Sequence, residues 1–369
     1  MSVVFESMDS RGHEEVVFCQ DKDTGLKAII AVHNTTIGPA LGGCRMWMYD
    51  TEDDALKDVL RLSRGMSYKA AIAGLNLGGG KAVIIGDSKK DKNEILFRSF
   101  GRFVQGLAGR YITAEDVGTS VKDMEWVRME TRYVTGISRA LGGSGDPSPV
   151  TALGTCSGMK ATVKKHLGKD SLFGLNVGVQ GVGHVGYHLC RYLSREGANL
   201  YVTDMDESAL KCVVDEFGVQ VIGMDDIYDA DLDIYAPCAL GATLNEETIP
   251  NLKCSIVAGA ANNQLKKEDV HAQMLKDRGI LYAPDYAINA GGLINVANEI
   301  EGYNRERAFL QAEEGIYDTL MTIYQRSEEE NVTTHTAASK VAEKRMEDVA
   351  KLKNVYLPKK NVMGKRDNT

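Results

Sequence analysis

Lys69, Lys81 and Asp116 are the residues whose types and surroundings best fit proton-transfer chemistry in this sequence. Lys81 ends the run Gly74-Leu75-Asn76-Leu77-Gly78-Gly79-Gly80 and precedes the apolar, strand-like Ala82-Val83-Ile84-Ile85. Three glycines remove the Cβ atoms that keep another backbone or a ligand at a distance, and the strand fixes the direction of the amine. Such a lysine is aimed into a crevice; the same run also describes a glycine-rich turn with a solvent-facing lysine. It is not a nucleotide-binding P-loop, which needs glycine where Leu75 stands and a hydroxyl where Ala82 stands. Lys69 falls just past the end of a helix marked by Ala55, Val59, Leu62 and Met66, where a lysine also serves as an exposed complement to the helix dipole. Asp116 closes the strand-like stretch from Tyr111 and precedes the capping pair Ser120 and Asp123, so it sits in a strand-to-helix loop, where a carboxylate is often only a turn residue. If the three face one another, their opposed charges tune each other's protonation, as acid–base work requires.

The elements that must position them follow from local pattern. Residues 16–18 and 26–32 read as two strands joined by hairpin chemistry at Asp23-Thr24-Gly25. Gly38 to Met46 reads as a second glycine-bearing loop, in which Gly42 and Gly43 let backbone N–H groups approach an anion, or else as an ordinary turn. Thr51 and Asp54 form a capping box opening the helix that leads to Lys69. Residues 142–149, rich in Gly, Ser and Pro, mark a domain boundary.

Beyond that boundary a helix from Thr151 to His166 precedes a strand over 172–180, then Gly181-Val182-Gly183-His184-Val185-Gly186, a helix, the strand 200–203 and Asp204. A G-x-G-x-x-G between strand and helix, with an acidic residue ending the next strand, is the dinucleotide fingerprint in its required setting. Gly181 allows the turn, Gly183 the approach of a pyrophosphate, Gly186 the packing of helix on strand, and Asp204 bonds ribose hydroxyls. Asp204, with Met205, Asp206 and Glu207 beside it and no arginine, favours NAD over NADP. His184 and His188 lack a zinc-protease glutamate between them, since Val185 stands there, and no metal site is expected. Further strand-like segments at 233–237, 255–259 and 280–283 complete a doubly wound parallel sheet. Asn262 and Asn289 lie where such sheets bind ligands and are candidates to hold a nicotinamide or its ribose, turn chemistry being the alternative.

With 369 residues the chain suits two α/β domains with a cleft between them. A mixed α/β catalytic domain is expected over 1–147, rejoined by a C-terminal helix over about 334–369, and a Rossmann-type domain over 148–333. The basic tail 358–369 is expected to fray or to serve subunit contact. A net charge of −8 speaks against nucleic acid as partner and for small molecules or further copies of the chain. Seven scattered cysteines without a Cys-x-x-Cys pair indicate a reducing compartment, and no window reaches the length of a membrane span, so a soluble cytoplasmic protein is expected.

These motifs together resemble the amino-acid dehydrogenases that act on glutamate, leucine, phenylalanine and valine. The likeness rests on 39–46, 74–81, 111–119, 147–151, the fingerprint at Gly181, 261–265 and 289–292, and is strongest toward the leucine branch. The resemblance implies reversible NAD-dependent oxidative deamination of L-leucine and other branched aliphatic amino acids to 2-oxo acids and ammonia. It gives Lys69 the substrate α-carboxylate, Lys81 the activation of water, and Asp116 the protons of the amino group. It places Leu41 and Val296 where glutamate enzymes carry a lysine and a serine, so an acidic side chain would lack partners. Gly42, Gly43, Met66, Ala114 and Leu293 complete the implied substrate set, and Thr151 joins the cofactor set. Ala114 and Thr135 resemble leucine enzymes, whereas Leu293 resembles phenylalanine enzymes, leaving a phenylalanine dehydrogenase of the same mechanism as the alternative. A homo-oligomer, an octamer among leucine enzymes, is implied as well.

Overall fold

Apolar runs in the two halves of the chain build two separate sheets. The computed structural model describes residues 3–239 and 241–352; the tail from 358 lies outside them. The chain forms two compact units, one running to Asp146 and including Val296–Arg305 and the chain from Ala342, the other comprising Pro147–Asn295 and Glu306–Val341. No helix among the described residues is long and apolar enough to cross a membrane.

The first unit runs α1 (Val3–Asp9), β1 (Glu15–Asp21), β2 (Leu26–Asn34), β3 (Ala40–Trp47), α2 (Glu52–Ile72), β4 (Gly78–Ile85), α3 (Glu94–Gly106), β5 (Tyr111–Glu115) and α4 (Val121–Arg128). Its sheet has the order β1-β2-β4-β3-β5. The β1–β2 hairpin is antiparallel and β2 pairs antiparallel with β4, whereas β3 lies parallel to both β4 and β5. One face packs Phe97, Phe100, Val104, Met124 and Val127 of α3 and α4 against Ala40, Cys44, Met46, Ala82 and Ile84; burying each phenylalanine contributes about 1.5–3 kcal/mol. The other face sets Ile29, Ala31 and Val83 against Ala55, Leu56, Val59 and Leu60 of α2.

Two expectations are corrected here. The stretch 38–46 is not a loop: from Ala40 onward it is the buried strand β3. The glycines before Lys81 are likewise strand, since β4 begins at Gly78. Both corrections share one cause, the close approach of neighbouring backbones. A Cβ on Gly79 would stand 2.1 Å from the backbone N of Ser67 and 2.6 Å from the carbonyl O of Ser63, so glycine lets α2 lie directly on β4. A Cβ on Gly42 would stand 1.8 Å from the carbonyl O of Gly80.

Ser120 and Asp123 form the capping box as read, Ser120 N–H donating to Asp123 Oδ2 at 2.9 Å; at Thr51 only the N-cap half forms, Asp54 N–H donating to Thr51 Oγ1 at 3.1 Å while the Thr51 hydroxyl donates to Asp54 Oδ2 at 2.6 Å. Helix α2 continues to Ile72, so Lys69 belongs to its last turn rather than lying beyond it. Arg345 closes that end, donating to the carbonyls of Ala71 at 2.9 Å and Leu75 at 2.7 Å, as cations at a helix C-terminus do.

The segment from Val296 to Arg305 groups with the first unit for a visible reason. Glu299 accepts the N–H of Gly136 at 3.1 Å and both the N–H and hydroxyl of Ser144, at 2.8 and 2.5 Å. Burial still holds its carboxyl above the usual range.

The second unit contains α5 (Ser148–Leu167), β6 (Asn176–Gln180), α6 (His184–Arg195), β7 (Asn199–Thr203), α7 (Glu207–Phe217), β8 (Gln220–Val221), β9 (Ile234–Pro237), β10 (Ile256–Val257), α8 (Glu268–Asp277), β11 (Leu281–Tyr282) and α9 (Asp285–Ile288). The unit boundaries fall at or within the three helices that follow, α10 (Gly291–Ala297), α11 (Arg305–Glu329) and α12 (Thr334–Ala350). All strand pairings here are parallel, in the order β11-β10-β9-β6-β7-β8. Counted from β6 this is the 3-2-1-4-5-6 order of the doubly wound dinucleotide fold, with its switch point between β6 and β9.

Candidate active site

Alternation along three neighbouring strands assembles the charged cluster. Arg45 pairs with Val83, Gly43 with Ala114, and Leu41 with both Gly79 and Ile112. Val83 and Gly79 face α2. Because every second residue of a strand shares a face, Lys81, Leu41, Gly43, Arg45 and Ala114 line that same side of the sheet. Asp116 follows directly on β5 and reaches the same side. Its position is pinned by Thr119, whose Oγ1 accepts the Asp116 N–H at 2.9 Å and donates to the Cys44 carbonyl at 2.8 Å.

The Lys81 Nζ lies 3.0 Å from Asp116 Oδ1, with the lysine side chain only 6% exposed. The Arg45 Nε donates to the other oxygen, Oδ2, also at 3.0 Å. Arg45 in turn donates through a terminal nitrogen to Asp58 Oδ2 at 2.9 Å, an oxygen that also accepts the Tyr49 hydroxyl at 2.8 Å. Burial pushes the Asp116 carboxyl up, but the charges and hydrogen bonds of Lys81 and Arg45 outweigh it and hold the group below the usual carboxylate range. The resting site therefore contains a carboxylate, able to accept a proton, against a buried ammonium.

Of the expected substrate residues, Gly43 lies against Asp116, Gly42 lies against Met66, and Lys69 follows Met66 on α2. Met66 and Lys69 stand three apart on α2, both half-buried and on one face. The Met66 Cγ lies 3.2 Å from where a Gly42 Cβ would be, and a Cβ on Gly43 would stand 2.8 Å from Asp116 Cβ. The open anion-binding loop expected at Gly42 and Gly43 is absent; instead, the β3–β4 pairing lapses at these two residues within a strand. Leu41 and Ala114 are buried apolar wall. Sequence reasoning gave Arg45 and Asp58 no role, because the alternation Leu41, Gly43, Arg45 carries meaning only once β3 is known to be a strand.

In the second unit the fingerprint has the geometry its glycines require. Gly181 has φ +98°, and a Cβ there would stand 2.8 Å from the Ala239 backbone N, across the switch point. A Cβ on Gly186 would meet the Gly181 carbonyl O at 2.0 Å, whereas Gly183 has nothing within 4 Å, which is the clearance a pyrophosphate needs. Gly183 is the N-cap of α6, and His184 is exposed at its start while Val185 is half-buried. Asp204 is turned onto this loop, accepting the N–H of Val182 at 2.7 Å and of Asp206 at 2.9 Å. These residues fit a dinucleotide. Asn289 donates to Asn262 Oδ1 at 2.7 Å, bringing the two amides together, and Thr151 Oγ1 stands 2.9 Å from where a Gly292 Cβ would be. Leu293 and Val296 lie three residues apart on α10.

Comparison with known proteins agrees with this layout. Residues 13–133 match the family described as "Glu/Leu/Phe/Val dehydrogenase, dimerisation domain", and residues 201–354 match "Glutamate/Leucine/Phenylalanine/Valine dehydrogenase". The chain is 57% identical to a leucine dehydrogenase of Thermoactinomyces intermedius, covering 96% of each. It is 56% identical to a leucine dehydrogenase of Geobacillus stearothermophilus over the same shares. Among solved structures, the L-tryptophan dehydrogenase of Nostoc punctiforme superposes with a TM-score of 0.85 at 48% identity, covering 94% of this chain and 99% of that one.

Proposed function

The chain belongs to the glutamate/leucine/phenylalanine/valine dehydrogenase family, and from that premise we propose that it catalyses NAD-dependent, reversible oxidative deamination of L-leucine and other branched-chain aliphatic L-amino acids to 2-oxo acids and ammonia. The observation that carries this reading is the buried Lys81 ammonium 3.0 Å from the Asp116 carboxylate, in a chain 57% identical to a leucine dehydrogenase.

Each residue then has a task. Lys69 neutralises the substrate α-carboxylate and so orients Cα. When bound, NAD supplies the two-electron acceptor that takes hydride from Cα; Gly181, Val182, Gly183, His184, Val185, Gly186, Asp204, Thr151, Asn262 and Asn289 would hold it. Lys81 gives its ammonium proton to solvent, and the amine so formed takes a proton from the water that adds to the iminium carbon, returning to the ammonium. Asp116 accepts and returns the protons of the amino group, which leaves as ammonia. Gly42 and Gly43 leave room for the substrate backbone; Met66, Leu41, Ala114 and Val296 of the first unit offer it an apolar wall, and Leu293 of the second unit is a further apolar candidate. Against that wall a glutamate side chain leaves a carboxylate unpaired, at about 1–3 kcal/mol or more, which supports a preference for leucine.

On this reading the catalytic domain is the first compact unit, close to the expected 1–147 but with Val296–Arg305 added and rejoined by the chain from Ala342, and the NAD-binding domain is the second, Pro147–Asn295 with Glu306–Val341 in place of an unbroken 148–333. The protein works as a cytoplasmic homo-oligomer, with eight copies by analogy to leucine enzymes. The test is NADH formation at 340 nm, a wavelength set by the reduced cofactor, with L-leucine, L-valine, L-phenylalanine and L-glutamate in turn. Leucine and valine should lead; phenylalanine ahead of leucine would replace the substrate assignment, and no turnover with any would sink the reading.

A further inference from the structure

Asp116 is engaged through both oxygens, and only one partner, Lys81, belongs to the chemistry just described. The other, Arg45, is itself gripped on its far side by Asp58. We infer that Arg45 is a positioning residue for the reaction: anchored by Asp58, which Tyr49 holds in turn, it fixes the rotation of the Asp116 carboxylate so that Oδ1 faces Lys81. This inference rests on the function proposed above.

The geometry is that of a built relay. Asp58 stands on α2, Arg45 on β3 and Asp116 beyond β5, so three elements converge on one guanidinium. Its planar fork spreads over the two carboxylates, Nε on Asp116 Oδ2 at 3.0 Å and a terminal nitrogen on Asp58 Oδ2 at 2.9 Å. A lysine at this position offers one point charge and could not hold both directions. Asp58 is held in turn, by the Tyr49 hydroxyl at 2.8 Å and by Arg61 at 2.9 Å on its other oxygen. Burial opposes the charge on Arg45, but Asp116 and Asp58 more than offset it and keep the guanidinium protonated.

Other titratable groups close to Asp116 in the sheet do not do this work. Glu115 on β5 is a second carboxyl, raised by burial and by neighbouring acids. Cys44 on β3 and Tyr111 on β5 are buried and held neutral by burial first. Arg45 and Lys81 both hold Asp116 ionised through charge and hydrogen bonds, and a carboxylate displaced by about 1 Å can lose on the order of 100-fold in rate.

The experiment compares wild type, Arg45→Gln and Arg45→Lys by pH profiles of kcat and kcat/KM for L-leucine, with NAD binding followed by quenching of protein fluorescence. Arg45→Gln should lower kcat on the order of 100-fold, leave NAD binding intact, and move the acid limb of kcat/KM upward by about one pH unit, since a lost cation raises the pKa of a carboxylate. Arg45→Lys should restore the limb to its wild-type position while kcat stays below wild type. Wild-type kcat and an unmoved limb in Arg45→Gln would overturn the inference. So would equal losses in both variants with no shift of the limb, the mark of a merely structural residue. Should Arg45→Gln fail to fold, wild-type kcat in Arg45→Lys would overturn it instead. If wild type turns over none of the amino acids, the functional reading itself has failed, whereas an active wild type with indifferent Arg45 variants removes only this inference.

Discussion

An ammonium that is 6% exposed must keep a counterion, so Lys81 and Asp116 have to be considered together. Replacing Lys81 by Ala, or Asp116 by Asn, should abolish measurable turnover, because each removes a proton-transfer group worth roughly 100- to 10,000-fold. Steady-state NADH formation, with NAD binding as control, checks this. The Asp116 change carries a second signature. The folded carboxyl lies below its usual range, so its stabilisation is complete above the unfolded value and is lost as pH falls through the folded one. Urea midpoints of wild type and Asp116→Asn should therefore differ most near neutral pH and converge as pH drops below the ordinary carboxylate range; a constant gap would contradict the assignment. Lys81 and Asp116 could be singled out as candidates because a glycine run and a strand end are local signals, while their roles came from the family resemblance. Arg45 could not be, since its partners lie 13 and 71 residues away.

Elements whose signals are local were read well and those shaped by close packing were not. The capping residues opening α2 and α4 and the alternation of short apolar runs with helices are written in consecutive residues, and they gave the helices and the parallel sheet. Strand β3 and the start of β4 were misread because glycine in a sequence signals a break, whereas here it permits contact: Gly42, Gly43, Gly79 and Gly80 meet neighbouring chain within 3 Å of a would-be Cβ. Lys69 was placed past its helix because the apolar spacing was followed only to Met66, although Ala70 and Ala71 extend the last turn. Two alanine substitutions separate the two kinds of glycine. Gly79→Ala should push α2 away from β4 and destabilise the protein by about 1–3 kcal/mol or more, lowering the thermal midpoint and the activity together. Gly65→Ala, on the exposed face of α2 with nothing within 4 Å, should raise stability by about 0.5–1 kcal/mol. If both variants melt alike, close approach is not what glycine provides at Gly79.

At the scale of the whole molecule, acid–base groups and dinucleotide determinants fall in different compact units, so damage to one should leave the other measurable. Lys81, Asp116, Arg45 and Lys69 belong to the first unit, and Gly181, Gly183, Gly186 and Asp204 to the second. A ligand bound only by the folded state stabilises it by about 2.7 kcal/mol at one hundred times Kd, which makes the melting temperature a readout of NAD binding independent of turnover. Lys81→Ala should show the full NAD-induced rise. In Asp204→Ala the rise should shrink, because a carboxylate hydrogen bond to a ribose hydroxyl contributes about 1.5–3 kcal/mol, or roughly a 10- to 150-fold change in Kd. The same substitution removes the negative charge that disfavours a 2′-phosphate, so the preference for NAD over NADP should narrow. Asp204 also anchors the Val182 N–H at 2.7 Å, so Asp204→Asn serves as control: it keeps a side chain of the same shape, and discrimination should narrow there too if charge is the cause. An NAD-induced rise lost in Lys81→Ala, or wild-type discrimination in both Asp204 variants, would show that the two sets of residues do not divide the work as their positions in the chain imply.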